Sequence, residues 1–303
     1  MKIKSLCCTV LAAATVVACG SQVMAAHCTY DEYKDSPEEF ATEIGLGEVA
    51  HVHFDKGDTD RDLYKFIPDE SVNYTVMFIG YDDVYEVRPD IHLSGYDPAT
   101  KSTHHCFNYV SDHEILTTIN TNFTPGVTYY ASVINSQEYR ENNVTDFSFV
   151  IFKTPAADKW LQFGDDWFYY STEEEACVTG WKKINGNWYL FDYDGTMLTG
   201  WQKDGGKWYY LASSGKMQTG WLDDNGTWYF LKSDGAMASN EFCLGYWLNA
   251  NGSWTYPYRS FWHQDSTGWW YGDSSGWYAK NATYVIDGKS YNFDSRGYCT
   301  NPY

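Results

Sequence analysis

All fourteen tryptophans of this chain lie between Trp160 and Trp277, and twelve of them pair at a spacing of seven residues. The pairs are Trp160/Trp167, Trp181/Trp188, Trp201/Trp208, Trp221/Trp228, Trp247/Trp254 and Trp262/Trp269, and Tyr284/Tyr291 keeps the spacing in a seventh slot. Successive pairs begin 21, 20, 20, 26, 15 and 22 residues apart, so the C-terminal half is a repeat array. A globular core needs no such regularity. Indole rings at a fixed pitch suit a ligand that is itself repetitive.

The turn chemistry says what each repeat folds into. Asn185-Gly186, Gly205-Gly206 and Asn225-Gly226 separate the paired tryptophans, and such dipeptides favour two-residue hairpin turns because both central positions need positive φ. Aromatic strands follow, as in Trp188-Tyr189-Leu190-Phe191 and Trp208-Tyr209-Tyr210-Leu211, and then a second turn at Asp194-Gly195, Ser214-Gly215 or Asp234-Gly235. A lone hairpin is marginal in water. Neighbours must therefore stack, and the expected architecture of residues 156–303 is a β-hairpin solenoid.

Residues 1–26 read as an export signal, with Lys2 and Lys4 ahead of the apolar stretch from Leu6 to Ala18 and small residues at Val23-Met24-Ala25. Val16-Val17-Ala18-Cys19 also resembles a lipobox, which would make Cys19 the first residue of a mature lipoprotein. No later run is long and apolar enough for a transmembrane span. Outside the signal the chain keeps Cys28, Cys106, Cys177, Cys243 and Cys299. Cys28 with Cys106 and Cys243 with Cys299 are the candidate disulfides of an exported protein. Cys177 stands where Met197, Met217 and Met237 stand in later copies, which argues for a buried apolar role. The net charge of −19 makes nucleic acid and anionic membranes poor partners and leaves cationic ligands open.

Residues 27–155 contain no tryptophan, and composition changes sharply near Thr154-Pro155-Ala156-Ala157. Strand signals recur at 49–54, 62–67, 72–79, 91–96, 127–134 and 147–152, which argues for a β-sandwich of ordinary size. One helix is expected over 36–44, with Ser36 as cap and Glu39 three residues on. The whole chain is thus read as all-β: a β-sandwich followed by the hairpin array.

Nothing here carries a catalytic signature. Nucleophile elbow, zinc-protease helix, phosphate loop and CxxC are all missing from the sequence. Asp58, Asp60 and Asp62 alternate as in calcium loops but lack the glycine and distal glutamate of an EF-hand, so a solvated turn is the simpler reading. His51 and His53, with His92 or His104-His105, read as ordinary histidines rather than a metal site. The chain is read as a non-enzyme without cofactor or metal. The rival is an enzyme whose activity lies in residues 27–155.

The segment Gly57-Asp58-Thr59-Asp60, Asp62-Leu63-Tyr64-Lys65-Phe66 and Pro125-Gly126-Val127-Thr128-Tyr129-Tyr130 resembles the bacterial pre-peptidase C-terminal domain, a small extracellular β-sandwich. The pattern Gly-Trp, six residues, Trp-Tyr-aromatic, then Gly-x-Met-x-Thr-Gly-Trp resembles the choline-binding repeats of Gram-positive surface proteins, whose pattern glucan-binding repeats share. The resemblance implies aromatic cages around the quaternary ammonium of choline: Trp181, Trp188 and Tyr209 with Met197; Trp201, Trp208 and Tyr229 with Met217; and Trp160, Trp167 and Tyr189, where Cys177 replaces methionine. It implies a secreted protein held on the wall of a Gram-positive bacterium, with choline-decorated teichoic acid or wall polysaccharide as partner. A glucan-binding module is the alternative. Ser239-Asn240-Glu241 breaks the pattern, so the resemblance implies regular cages only as far as Trp228.

Overall fold

The computed structural model describes residues 23–24, 27–28, 40–54, 61–79, 89–97, 102–110, 121–135 and 145–302. Two compact units divide the chain, one of residues 1–183 with 190–197 and the other of 184–189 with 198–303. Every extended element in both is a β-strand.

The first unit holds two facing sheets. One runs Val23–Met24, Val49–Phe54, Thr145–Lys153, Asn73–Ile79, Thr121–Asn122 in spatial order, and the other His27–Cys28, Arg61–Phe66, Thr128–Asn135, Pro89–Asp97, Ser102–Val110. Their inward side chains alternate along each strand as the pleat requires. Ala50, Val52, Phe54, Tyr74, Val76, Phe78, Phe149 and Ile151 from the first sheet meet Tyr64, Phe66, Tyr129, Ala131 and Val133 from the second in one core. Tyr64 and Phe149 meet edge to face at 5.1 Å. This is the expected sandwich.

Several details differ from the sequence reading. Residues 42–43 are a strand, parallel to Arg61–Phe66, rather than the end of a helix; Ile44 donates its N–H to the Lys65 carbonyl and is buried. Phe40 is helical, so the helix stops short of the expected residue 44, and residues 36–39 lie outside the described residues. Val23 and Met24, read as part of a cleavage segment, pair in parallel with Ala50 and His51. The strand Ser102–Val110 was not expected at all.

The outer face of the first sheet is apolar too, and the first repeat covers it. In the hairpin of Lys159–Phe163 and Asp166–Ser171, Trp160 opposes Tyr169 and Leu161 opposes Phe168. Alternation therefore puts Trp160, Trp167 and Tyr169 on one face and Leu161, Phe163, Phe168 and Tyr170 on the other. The second face, with Cys177, packs against Val49, Met77, Ile79, Val150 and Phe152. The composition break at residue 155 is thus not a break in packing.

The second unit begins its regular hairpins at Gly200–Asp204 with Lys207–Leu211 and Gly220–Asp224 with Thr227–Leu231. Gly205 and Gly206 have φ of 53° and 80°, Asn225 and Gly226 of 53° and 84°, the two positive values the turn residues were read to supply. The chain ends differently from a simple stack. Glu241–Cys243 pairs with Tyr246–Leu248 and also, in parallel, with Ala282–Ile286 of the last hairpin. Phe242, Tyr271, Ala279, Ile286 and Phe293 form the core beneath that closure.

Cys243 and Cys299 do not pair, and the strand order holds the backbones of Cys28 and Cys106 apart. Cys28 and Cys106 lie on the two outermost strands of one sheet with three strands between them, about 19 Å at the usual strand spacing, against the roughly 7 Å a disulfide allows. Cys243 is buried beside Ala238 and Leu248, whereas Cys299 packs in the core around Phe242; both are free thiols. Cys177 is free and buried, in the apolar role expected of it. Burial pushes the Cys177 and Cys243 thiols up to about 12. Both should resist iodoacetamide at pH 8 in the folded protein and react once urea is added. Peptide mapping that finds either one alkylated in the native state would refute this placement.

Candidate aromatic cages

Register explains how the rings come together. In the 200–211 hairpin Trp201 opposes Tyr210 and Lys203 opposes Trp208, while Gln202 opposes Tyr209. Trp201, Trp208 and Tyr210 therefore share a front face and Tyr209 lies on the back. The 220–231 hairpin repeats this with Trp221, Trp228 and Phe230 in front and Tyr229 behind. Stacking puts the front of one hairpin against the back of the next. Tyr229 accordingly meets Trp201 at 4.9 Å and 68°.

The geometry recurs closely. Paired indoles are 6.4 Å apart at 75° in Trp160/Trp167, 6.5 Å at 86° in Trp201/Trp208, 6.4 Å at 74° in Trp221/Trp228 and 6.5 Å at 82° in Trp262/Trp269. A near-perpendicular pair leaves a corner between two ring faces, and a third ring closes it. The third ring is Tyr229 for Trp201 and Tyr291 for Trp262, the latter at 4.8 Å. Trp201 is also structural, since its indole N–H donates to Asp224 Oδ2 at 2.9 Å and its ring touches Tyr210. Trp188, Trp208 and Trp228 stay about two-fifths exposed.

The best-formed site lies where the sequence pattern breaks down. Trp221, Trp228, Tyr246 and Trp254 line a cavity of about 200 Å³. Trp221 meets Tyr246 at 5.5 Å and Trp254 at 5.8 Å, and Tyr246 meets Trp254 at 5.6 Å, all steeply inclined. Sequence reasoning missed Tyr246 and Trp254 as partners of this pair. The signal was the loop that follows each hairpin. Its N–H groups close the same small turn at 232–236 and 249–253, which aligns Trp254 with Met237. Trp254 is thus the methionine-slot residue of its unit.

The same alignment corrects other assignments. Each slot residue donates its backbone N–H to the second tryptophan of the preceding hairpin: Met197 to Trp167, Met217 to Trp188, Met237 to Trp208 and Cys299 to Trp269, at 2.7–2.8 Å. The slot residue hydrogen-bonded to Trp208 is therefore Met237, one repeat later than the Met217 expected beside Trp201 and Trp208, and the thioethers of Met217 and Met237 rest against Gly235 and Gly252. Trp247 and Trp254 do not make a hairpin pair. Trp247 packs against Phe242, at 4.9 Å, and Trp254 pairs with Trp228. Tyr284 and Tyr291 oppose each other one position out of the tryptophan register, in the back-face slot of Tyr229, and the tryptophan slots of the last hairpin hold Thr283 and Ser290.

The remaining expected groups, Trp181, Trp188 and Tyr209 with Met197 and Trp160, Trp167 with Tyr189, are each divided between the two units. Tyr189 is buried, unlike Tyr209 and Tyr229. Asp58 and Asp60 lie outside the described residues, as do the side chains of His92, His104 and His105. No helix among the described residues is long and apolar enough to cross a membrane.

A family model described as "Choline-binding repeat" matches residues 178–212 and 198–242. The choline-binding domain of a Streptococcus pneumoniae protein is 44% identical over 26% of this chain and 95% of its own, with a TM-score of 0.25. Residues 178–242 therefore belong to the choline-binding repeat family. Choline-binding protein F of Streptococcus pneumoniae is 28% identical over 56% of this chain and 65% of its own length, with a TM-score of 0.32. The pneumococcal cell-wall endolysin of phage Cp-1, solved in complex with choline, is 28% identical over 46% of each chain, with a TM-score of 0.29. No curated protein matches this sequence. In the matched choline-binding repeats fall Trp181, Trp188, Trp201, Trp208, Trp221 and Trp228; Tyr246 and Trp254, which complete the cavity, lie beyond them.

Proposed function

We propose that this chain is a surface protein held without covalent linkage on choline-bearing wall polymer. It is exported through residues 1–26, attached by the aromatic repeats, and presents residues 27–155 as a display domain without catalysis of its own. The observation that carries this reading is the cavity of Trp221, Trp228, Tyr246 and Trp254. Four electron-rich ring faces and no charged group among its lining residues suit a bulky, weakly hydrated cation such as the trimethylammonium of choline. Teichoic acid or another choline-decorated polymer is the proposed partner, and the endolysin solved with choline supports the ligand class.

The energetics favour many weak sites. Each ring face contributes about 0.5–2 kcal/mol to a bound cation, which leaves a three- or four-ring cage near millimolar affinity, about −4 kcal/mol. Linking several cages along one polymer multiplies the overall affinity by roughly 10²–10⁴. Attachment is then firm but reversible. The full chain should be retained on a choline-mimicking quaternary-amine resin at high salt and released by free choline. Release by dextran but not by choline would transfer the function to the glucan reading.

A further inference from the structure

The aromatic cavity has a cation fixed beside it. Arg259 lies with its guanidinium carbon 5.7 Å from the Tyr246 ring centre and 4.9 Å from that of Phe261. Its Nε donates to the Leu244 carbonyl at 2.8 Å. Gly245, with φ of 87°, is what seats it: a Cβ there would come within 2.9 Å of the Arg259 Cγ and collide with the Ser260 carbonyl. The side chain is therefore held at both its stem and its head. Its two terminal NH₂ groups have no hydrogen-bond or ion-pair partner among the described residues, although the chain carries 40 acidic residues against 21 basic. By contrast Lys207, Lys232 and Arg296 in the same unit are paired with Asp234, Glu241 and Asp294.

A guanidinium in this position opposes a simple cation entering the cavity. It favours a ligand that carries an anion a few bonds from its ammonium. We propose that Arg259 makes this cavity a zwitterion site, with the quaternary ammonium among the four rings and a phosphate or carboxylate on the Arg259 fork. The inference rests on the choline reading above and narrows it to choline esterified to phosphate. Planar NH₂ pairs suit two-point contact with phosphate oxygens. Arg259 is exposed, so the gain is that of a surface ion pair and falls with salt. The other complete tryptophan pairs differ: Lys203 lies over Trp208 at 5.7 Å in one, and the partner of Trp262 is Tyr291.

The test is a site-resolved titration of the full chain labelled with 5-fluorotryptophan. The Trp228 and Trp254 fluorine resonances are assigned through Trp228→Phe and Trp254→Phe, and choline and phosphocholine are the probes. For those two resonances phosphocholine should bind roughly three- to fivefold more tightly than choline at low salt, the scale of an exposed ion pair. Arg259→Gln should erase that preference and leave choline binding unchanged or slightly tighter, while Arg259→Lys should keep part of it. Equal affinities in the parent protein, or a preference that survives Arg259→Gln, would overturn the assignment of Arg259 alone. If choline itself moves neither resonance, the cavity is not a choline site and both readings fall.

Discussion

Trp221→Ala should abolish choline binding at the cavity and destabilise the second unit in the same step. Trp221 faces the cavity but also meets Trp228, Phe230, Tyr246 and Trp254 within 6.4 Å and packs on the cluster of Ala238, Cys243 and Leu248. Truncating a core tryptophan costs about 3–5 kcal/mol, and its half-buried state puts Trp221 at the lower end. Trp228→Ala is the matched control, because that ring is 39% exposed. It should weaken choline at this cavity by roughly tenfold, the loss of one strong cation–π face, with little change in melting temperature. Calorimetric choline titrations alongside thermal melts of both variants read the two effects apart. Unchanged choline affinity in Trp228→Ala would mean that the rings only hold the hairpins together.

Ending the chain after residue 155 should give an insoluble or poorly folded fragment, whereas ending it after residue 183 should give a soluble, cooperative one. The reason is the second face of the first hairpin, where Leu161, Phe163, Phe168 and Tyr170 cover Met77, Ile79, Val150 and Phe152. Phe168 is fully buried, and Phe168→Ala in the intact chain should cost about 3–5 kcal/mol. Denaturant unfolding of the intact pair and melting curves of the two fragments test this. A 27–155 fragment as stable as 27–183 would show that the hairpin is a passenger rather than a lid on the sheet.

The parts of this architecture that were legible from sequence are those set by neighbours in the chain. Two-residue turns such as Asn225-Gly226 depend on the φ preferences of two residues, and strands such as Val49–Phe54 on an alternation over six. The docking face of the first hairpin was equally written there, since Leu161, Phe163 and Phe168 stand where Gln202, Asp204 and Tyr209 stand two repeats later. Only the period-two comparison between copies exposes it. The order of strands within a sheet is a long-range property, and this is why Cys28 and Cys106 seemed pairable yet lie at opposite edges. Seven-residue spacing was misleading for the same reason at Trp247/Trp254 and Tyr284/Tyr291: counting along the chain does not reveal which strand a ring will face. The turn hydrogen bonds at 232–236 and 249–253 fix that alignment.

The parallel contact of Glu241–Cys243 with Ala282–Ile286 bears on how such an array can change in length. Between residues 180 and 231 each repeat presents the same tryptophan carbonyl to the next and takes up the same slot-residue N–H. A duplicated copy inserted there meets the surfaces it needs on both sides. A copy inserted between residues 243 and 282 must instead be spanned by a sheet whose two strands are already joined, and it would pry Phe242 from Ile286. Beyond residue 282 the front slots hold Thr283 and Ser290, which offer no indole for a further unit to cover. Lengthening or shortening of the repeat array, and with it the number of aromatic sites it presents at once, is therefore confined to one stretch of the chain.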